Sequence, residues 1–187
     1  MLYTIGIDEV GRGCWAGPLL VVAAQIHKEI PLKLQDSKKI SKLQRDKLYD
    51  VLVQHCSFGE GWVTAQEIDN MGIARAMSRA TYQALRKLGV AFDTPIIMDG
   101  NVNYVPKQYT NVKTIIKADA TFPAVSAASI YAKVIRDRYM QNTAKKFPEY
   151  RFEQHVGYGT ILHRQAIEKF GLTDLHRLSF KPMKDLQ

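Results

Sequence analysis

The sequence predicts an α/β fold. Short apolar segments typical of strands recur along the 187 residues, and segments with helix caps and a helical apolar stripe lie between most of them. With 46% hydrophobic residues there is enough material for a core, and the length suits one domain over residues 1–187.

The first strand and the turn after it, residues 3–18, are the most informative stretch. Alternating isoleucines predict a half-buried strand that ends in two acids, Asp8 and Glu9, before the turn Gly11-Arg12-Gly13. Carboxylates are seldom buried unless they are paired or bind a metal. Neighbours in a strand point to opposite faces, so we expect a bend that lets both acids bind one divalent cation. The alternative is a pair of solvated loop acids.

A second strand, 19–26, leads to a basic loop and a helix. Ser41 is a good N-cap for a helix over 42–55. Lys38 and Lys39 precede it, and this basic cluster indicates either a phosphate contact or a solvated helix start.

The next strand, 58–63, is followed by a long helical region. Thr64 and Glu67 match a capping box, which predicts a helix start, and Gly89 predicts its end after residue 88. Gly72 predicts an irregularity within it.

Two further acids follow predicted strands. Asp99 directly follows the predicted strand 95–98, and Asp119 comes shortly after the predicted strand 112–116. The carboxyl ends of strands are where open α/β sheets place their sites, which makes both acids candidate site residues. A turn-forming role beside glycine is the alternative for Asp99.

The remaining elements are helical. Pro123 predicts the start of a helix whose Ser126 and Ser129 we interpret as packing residues and whose charged run 136–138 we interpret as solvated. A further helix is predicted over about 162–170. Before it, Tyr158 stands between two glycines, where it either stacks on a base or sugar or fills a turn.

Charge and composition limit the function classes. The net charge of +8 favours an anionic partner, most commonly a nucleic acid. No segment reaches membrane-spanning length and no signal peptide is recognised, so we expect a cytoplasmic protein with no membrane partner. The two cysteines, Cys14 and Cys56, fit neither a zinc site nor a disulfide framework.

The four acids, the glycine turn and the basic surplus together indicate metal-assisted phosphoryl transfer. No pairing of a serine or cysteine with a base argues for a nucleophilic mechanism. Carboxylates suit Mg²⁺ or Mn²⁺, and two such cations about 3.5–4 Å apart serve this chemistry elsewhere.

Six motifs, in order and spacing, resemble ribonuclease HII, and the match covers essentially the whole chain. They are GIDEVGRG, DSKK, MDG, KADA…VSAASIYAKVIRDRYM, GYGT and HRLSF. The resemblance implies a ribonuclease H-like fold, with a mixed β-sheet flanked by helices and a helical C-terminal region. It implies an endonuclease that cuts the RNA strand of RNA–DNA hybrids and nicks duplex DNA 5′ to single ribonucleotides.

The resemblance also implies roles for individual residues. Asp8, Glu9, Asp99 and Asp119 would be catalytic and hold two Mg²⁺ or Mn²⁺ ions, and the products would carry 3′-hydroxyl and 5′-phosphate ends. The backbone of Gly11, Arg12 and Gly13 would read the ribose 2′-hydroxyl, and Tyr158 would pack on the sugar at the RNA–DNA junction. Lys38 or Lys39 would contact phosphate. Residues of about 150–187 would form a C-terminal segment that contacts substrate.

Other functions remain as alternatives. A non-catalytic nucleic-acid-binding protein of the same fold would bind hybrid without cleaving it, although four acids on such a face cost affinity unless they hold metal. A resolvase-like or integrase-like nuclease would cut branched DNA. We expect a monomer, and no tail typical of clamp binding is recognised.

Overall fold

The computed structural model describes residues 4–31 and 41–186, so Lys38 and Lys39 lie outside the described residues. Its centre is a five-stranded mixed sheet in the order β3-β2-β1-β4-β5. The strands are β1 (Ile5–Val10), β2 (Leu19–Ile26), β3 (Cys56–Val63), β4 (Ile96–Asp99) and β5 (Val112–Ile115). All five predicted strands are confirmed, although β3 begins two residues earlier than its pattern predicted.

The strand directions divide the sheet into two halves. β1, β2 and β3 form an antiparallel meander, whereas β4 and β5 run parallel to β1. In the parallel half, Ile7 of β1 lies opposite Met98 of β4. The next residues of these two strands, Asp8 and Asp99, therefore lie at the same level of the sheet.

The helices are α1 (Lys42–His55), α2 (Ala65–Met71), α3 (Ile73–Leu88), α4 (Pro123–Ala144), α5 (Phe152–His155) and α6 (Ile161–Phe170). Of these, α3 covers one face of the sheet, and α1 and α4 cover the other. The capping boxes at Ser41 and Thr64 are both formed. The irregularity predicted at Gly72 is a complete break, because this residue has a φ of 78° and separates α2 from α3.

Alternate residues of β1 face different helices. Ile5 and Ile7 belong to the core beneath α3, whereas Val10 belongs to a second core with residues of α1 and α4. Gly6 lets α4 approach, since a Cβ atom there would lie 2.2 Å from the backbone of Ala124. This close packing sets the first turns of α4 against the strand that carries the acids.

The C-terminal region packs on the loop between β1 and β2. A third core contains Phe152 of α5 and Ile167 of α6, and an isolated bridge joins Ala16 to His176. The helices of the described residues include none with the length and apolarity to cross a membrane.

Candidate active site

Asp8 and Asp99 lie side by side at the ends of two parallel strands. Gly6 and Val10 of β1 pack on the α4 side of the sheet, so strand alternation places Asp8 on that side too. Ile96 and Met98 of β4 belong to the core beneath α3, which places Asp99 on the α4 side by the same rule. The sheet therefore brings these two predicted site residues together.

Asp8 is buried, with only 6% of its surface exposed, and hydrogen bonds hold its carboxylate. Its Oδ1 accepts a hydrogen bond from the Glu9 N–H at 2.8 Å, and the Ser129 side chain of α4 hydrogen-bonds the carboxylate. Burial raises the pKa of Asp8 to about 7, and the charges of Glu9 and Asp99 add to the rise. The interpretation of Ser129 as a packing residue is wrong, because its hydroxyl contacts a candidate catalytic acid.

Asp119 is tied to the same sheet edge through Asp99. It lies in a short 3-10 helix, Ala118–Ala120, and is 7% exposed. The N–H of Ala118 donates to Oδ1 of Asp99 at 2.7 Å, which fixes the helix against the end of β4. Sequence spacing predicted an acid near this position, and the structure adds the contact that holds it there.

Glu9 faces the other way. β1 pairs regularly with β2 through Val10, so the bend expected at Asp8 and Glu9 is not present. Alternation directs Glu9 to the α3 side, where its Oε1 lies 3.6 Å from Nη1 of Arg12.

Within residues 4–31 and 41–186, no three acidic, histidine or cysteine side chains are close enough together to hold a metal ion.

The two glycines of the turn differ in what they require. Gly11 has a φ of 83°, and a Cβ atom there would lie 2.2 Å from Nε of Arg136. Gly13 has no such constraint: it is exposed, and an added Cβ atom would meet nothing within 4 Å. Gly11 is therefore needed by the fold, whereas the open space beside Gly13 is available to a ligand.

Two buried arginines lie behind this turn, and neither was recognised as a site residue in the sequence. Arg177 donates from Nη1 to the Arg12 carbonyl at 2.9 Å and from Nε and Nη2 to the Gly17 carbonyl. Arg136 donates to the carbonyls of three further residues, which are Ala16, Pro18 and Val156. The interpretation of Arg136 as a solvated helix charge is wrong, since both arginines are 0% exposed.

The sequence does not predict the roles of these arginines. Buried arginine is rare, and contacts with main-chain carbonyls cannot be recognised from the identity of the residues. Burial lowers the pKa of Arg177 to about 10, so it stays charged at neutral pH. The only sequence signal for Arg177 was the HRLSF motif, which marked its position but indicated no role for it.

Tyr158 lies at the surface beside the turn, 39% exposed. Nζ of Lys133 lies 5.8 Å from the centre of its ring, and Lys133 also forms an ion pair with Asp137 at 2.8 Å. The hydroxyl hydrogen-bonds Cys14, and burial raises the pKa of Tyr158. One edge of the ring is thus anchored while part of the ring stays open to a ligand.

The donor set fits a hard divalent cation. Asp8, Asp99 and Asp119 offer only carboxylate oxygens, the ligands that Mg²⁺ and Mn²⁺ prefer. The raised pKa of Asp8 reflects burial beside other carboxylates, an arrangement that a cation would stabilise.

Comparisons with known proteins agree with this description. The family model for ribonuclease HII matches residues 5–183. A ribonuclease HII from Bacillus cereus (strain B4264) is 44% identical over 188 residues, which cover 98% of this chain and 71% of the relative. Among solved structures, the PCNA:RNase HII complex from Archaeoglobus fulgidus contains a similar chain, with a TM-score of 0.80, 25% identity and 96% of each chain covered.

A more distant structure shares the fold. Bst-RNase HIII in complex with Mn²⁺ has a TM-score of 0.71 and 21% identity, covering 98% of this chain and 68% of the other.

Proposed function

This chain belongs to the ribonuclease HII family, and we propose from this premise that it nicks duplex DNA 5′ to single embedded ribonucleotides as well as cutting the RNA strand of hybrids. As a family member it is a ribonuclease H, an endonuclease whose substrates are RNA–DNA and which depends on a divalent metal. The finer activity rests on one observation, which is the open backbone at Gly13 beside the acidic strand ends.

Asp8, Asp99 and Asp119, together with Glu9, are the proposed metal ligands and catalytic residues. Two Mg²⁺ or Mn²⁺ ions, when bound, would supply an activated water and stabilise the departing 3′ oxygen, which leaves 3′-hydroxyl and 5′-phosphate ends. The Mn²⁺ complex of Bst-RNase HIII supports this choice of metal. To hold the ions together, Glu9 must turn from Arg12 and the acids must draw closer to one another, while Ser129 holds Asp8 in place.

The turn and Tyr158 are the proposed ribose readers. A main chain without a side chain at Gly13 lets a sugar approach closely, and the 2′-hydroxyl is what distinguishes RNA from DNA. Tyr158 offers the exposed part of its ring to the neighbouring sugar. Lys38 and Lys39 remain proposed phosphate contacts.

We propose that the whole chain acts as one catalytic domain, with residues 150–187 as the segment that contacts substrate. The contacts of Arg177 with the turn support this role. We expect a monomer in light scattering. The Archaeoglobus complex with PCNA makes a sliding clamp a candidate partner, and co-elution with a clamp protein tests it.

The test uses a labelled DNA duplex with one ribonucleotide and an all-DNA control, incubated with the protein and Mg²⁺, then Mn²⁺. A single nick 5′ to the ribonucleotide is the expected result. Binding without a nick under either metal would favour the non-catalytic alternative. Equal cutting of the control would remove the ribose-reading role of residues 11–13, and cutting of branched all-DNA substrates would favour a resolvase-like enzyme.

A further inference from the structure

Arg177 determines which way one peptide of the turn faces. Its Nη1 holds the Arg12 carbonyl at 2.9 Å, and the guanidinium is fully buried. In a trans peptide the carbonyl and the N–H of the next residue point in opposite directions. The Arg12–Gly13 peptide is trans, so the N–H of Gly13 points away from Arg177, and Gly13 itself is exposed.

We propose that Arg177 is a positioning residue for ribose recognition: it fixes the Arg12–Gly13 peptide so that the Gly13 N–H donates to the ribose 2′-hydroxyl. This inference rests on the proposed function and deepens it. Apart from its two chain neighbours, no residue has an atom within 4 Å of a Cβ atom built at Gly13, so there is room for a sugar beside this part of the backbone.

The shape of the guanidinium suits this task. Its planar fork reaches two carbonyls on opposite sides of the loop, Arg12 by Nη1 and Gly17 by Nε and Nη2, and so fixes a plane as well as a distance. A lysine ammonium at this position has no fixed plane and is a poorer match for both carbonyls.

The segment that carries Arg177 is held independently of the turn. The N–H groups of Leu178 and Ser179 donate to the carboxylate of Asp69 at 2.8 and 2.9 Å. The Arg177 N–H also donates to the Trp15 carbonyl at 2.8 Å. Asp69 of α2 thereby supports the backbone from which the guanidinium reaches the turn.

The experiment compares two duplexes that differ only in the 2′ substituent of one nucleotide. One contains a single ribonucleotide and the other its 2′-deoxy-2′-fluoro analogue, whose fluorine is a weak hydrogen-bond acceptor. For each protein the ratio of kcat/KM on the two duplexes measures the 2′-contact, because a general loss of folded enzyme lowers both values equally. For the unaltered protein we expect the ribonucleotide to be preferred by about tenfold or more, the scale of one hydrogen bond.

Arg177→Lys should be slower on the ribonucleotide duplex and should lose most of the preference, since the contact is already weakened. Arg136→Lys is the matched control. It removes another buried guanidinium that donates to carbonyls of the same loop but does not contact the Arg12 carbonyl. It should therefore slow cleavage of both duplexes and keep the preference for the ribonucleotide.

Asp69→Asn keeps the test decisive if Arg177→Lys does not fold. It weakens a surface contact only and should reduce the preference by a smaller factor in the same direction. If Arg177→Lys kept the full preference for the ribonucleotide duplex, or if Asp69→Asn kept it despite a lowered Tm, this inference would be overturned and the proposed function would stand. An unaltered protein with no preference for the ribonucleotide would overturn the proposed ribose reading as well.

Discussion

Asp8 and Asp99 are neighbouring acids of the proposed metal site, so replacing either by asparagine tests its proposed role. The neutral amide keeps the size but removes an anionic ligand. We expect Asp8→Asn and Asp99→Asn each to lower kcat by roughly a hundredfold or more, the scale of one well-placed electrostatic group. Circular dichroism and the Tm check the fold, and a near-normal rate in either variant would remove that residue from the site.

The two glycines of the turn give a second contrast. Gly13→Ala should leave the Tm nearly unchanged, since its Cβ has open space, yet raise KM because the methyl group occupies the proposed sugar position. Gly11→Ala should instead destabilise the fold by about 1–3 kcal/mol, since its φ of 83° and the Arg136 side chain both oppose a Cβ. Urea unfolding and steady-state kinetics separate the two effects, and equal effects of both variants would contradict this division.

Tyr158 separates stacking from hydrogen bonding. Tyr158→Phe keeps the ring and loses the hydrogen bond with Cys14, whereas Tyr158→Ala loses both. We expect Ala to lower kcat/KM by about tenfold or more, the scale of one aromatic stacking contact, and Phe to have a much smaller effect. Unimpaired cleavage by both variants would make Tyr158 a bystander.

At the residue scale, chemistry that depends on side-chain identity was predictable from the sequence. The placement of Asp8, Asp99 and Asp119 at one sheet edge follows from strand ends that were visible as patterns. The contacts of Ser129, Arg136 and Arg177 were not predictable, because each depends on which backbone a distant side chain meets. The direction of Glu9 was missed because a regular strand replaced the expected bend.

Among the elements, the C-terminal helices are joined by three buried histidines. The rings of His155 and His163 are stacked with their centres 4.4 Å apart, and Nε2 of His163 lies 3.1 Å from Nε2 of His176. Burial lowers the pKa of both His163 and His176 from 6.5 to about 4, and that of His155 is also lowered. Asp174 is the acidic neighbour of His176 and partly opposes this shift.

These histidines predict a loss of stability in mild acid. The unfolded chain binds protons more readily, so their contribution is complete above about pH 6.5 and is lost as the pH falls towards 4. At pH 5 the loss should be on the order of 2 kcal/mol for each of His163 and His176. Urea unfolding from pH 7 to 5 measures it. His163→Gln should flatten the slope, while the exposed His27→Gln should leave it unchanged; equal slopes in all three proteins would contradict the assignment.

Element boundaries were predictable where caps mark them. Ser41, Thr64 and Gly89 begin or end their helices at the expected positions because each satisfies orphan backbone groups locally. The early start of β3 at Cys56 was not predictable, since its first residues are set by pairing with β2.

Over the whole molecule, the net charge of +8 predicts salt-dependent binding. Each phosphate contact releases a counterion, so log affinity for RNA–DNA hybrid should fall linearly with log salt, with a slope of about −0.9 for each contact on B-form DNA. Fluorescence anisotropy measures this affinity, with Ca²⁺ in place of Mg²⁺ so that a cation binds the carboxylates while the hybrid stays uncut. A flat dependence would mean that the basic surface is not the binding face.

The hydrogen bond between Arg177 and the Arg12 carbonyl joins residues 165 positions apart. During synthesis the turn emerges first and its guanidinium partner among the last, because chains grow from the N-terminus at about 5–20 residues per second. Asp119, the last of the candidate acids, precedes Arg177 by 58 residues. The growing chain therefore carries all of these acids for a time without the guanidinium that holds the proposed ribose-reading turn. Under the proposed function, selective cleavage therefore becomes available only after Arg177 has been synthesised, close to the end of translation.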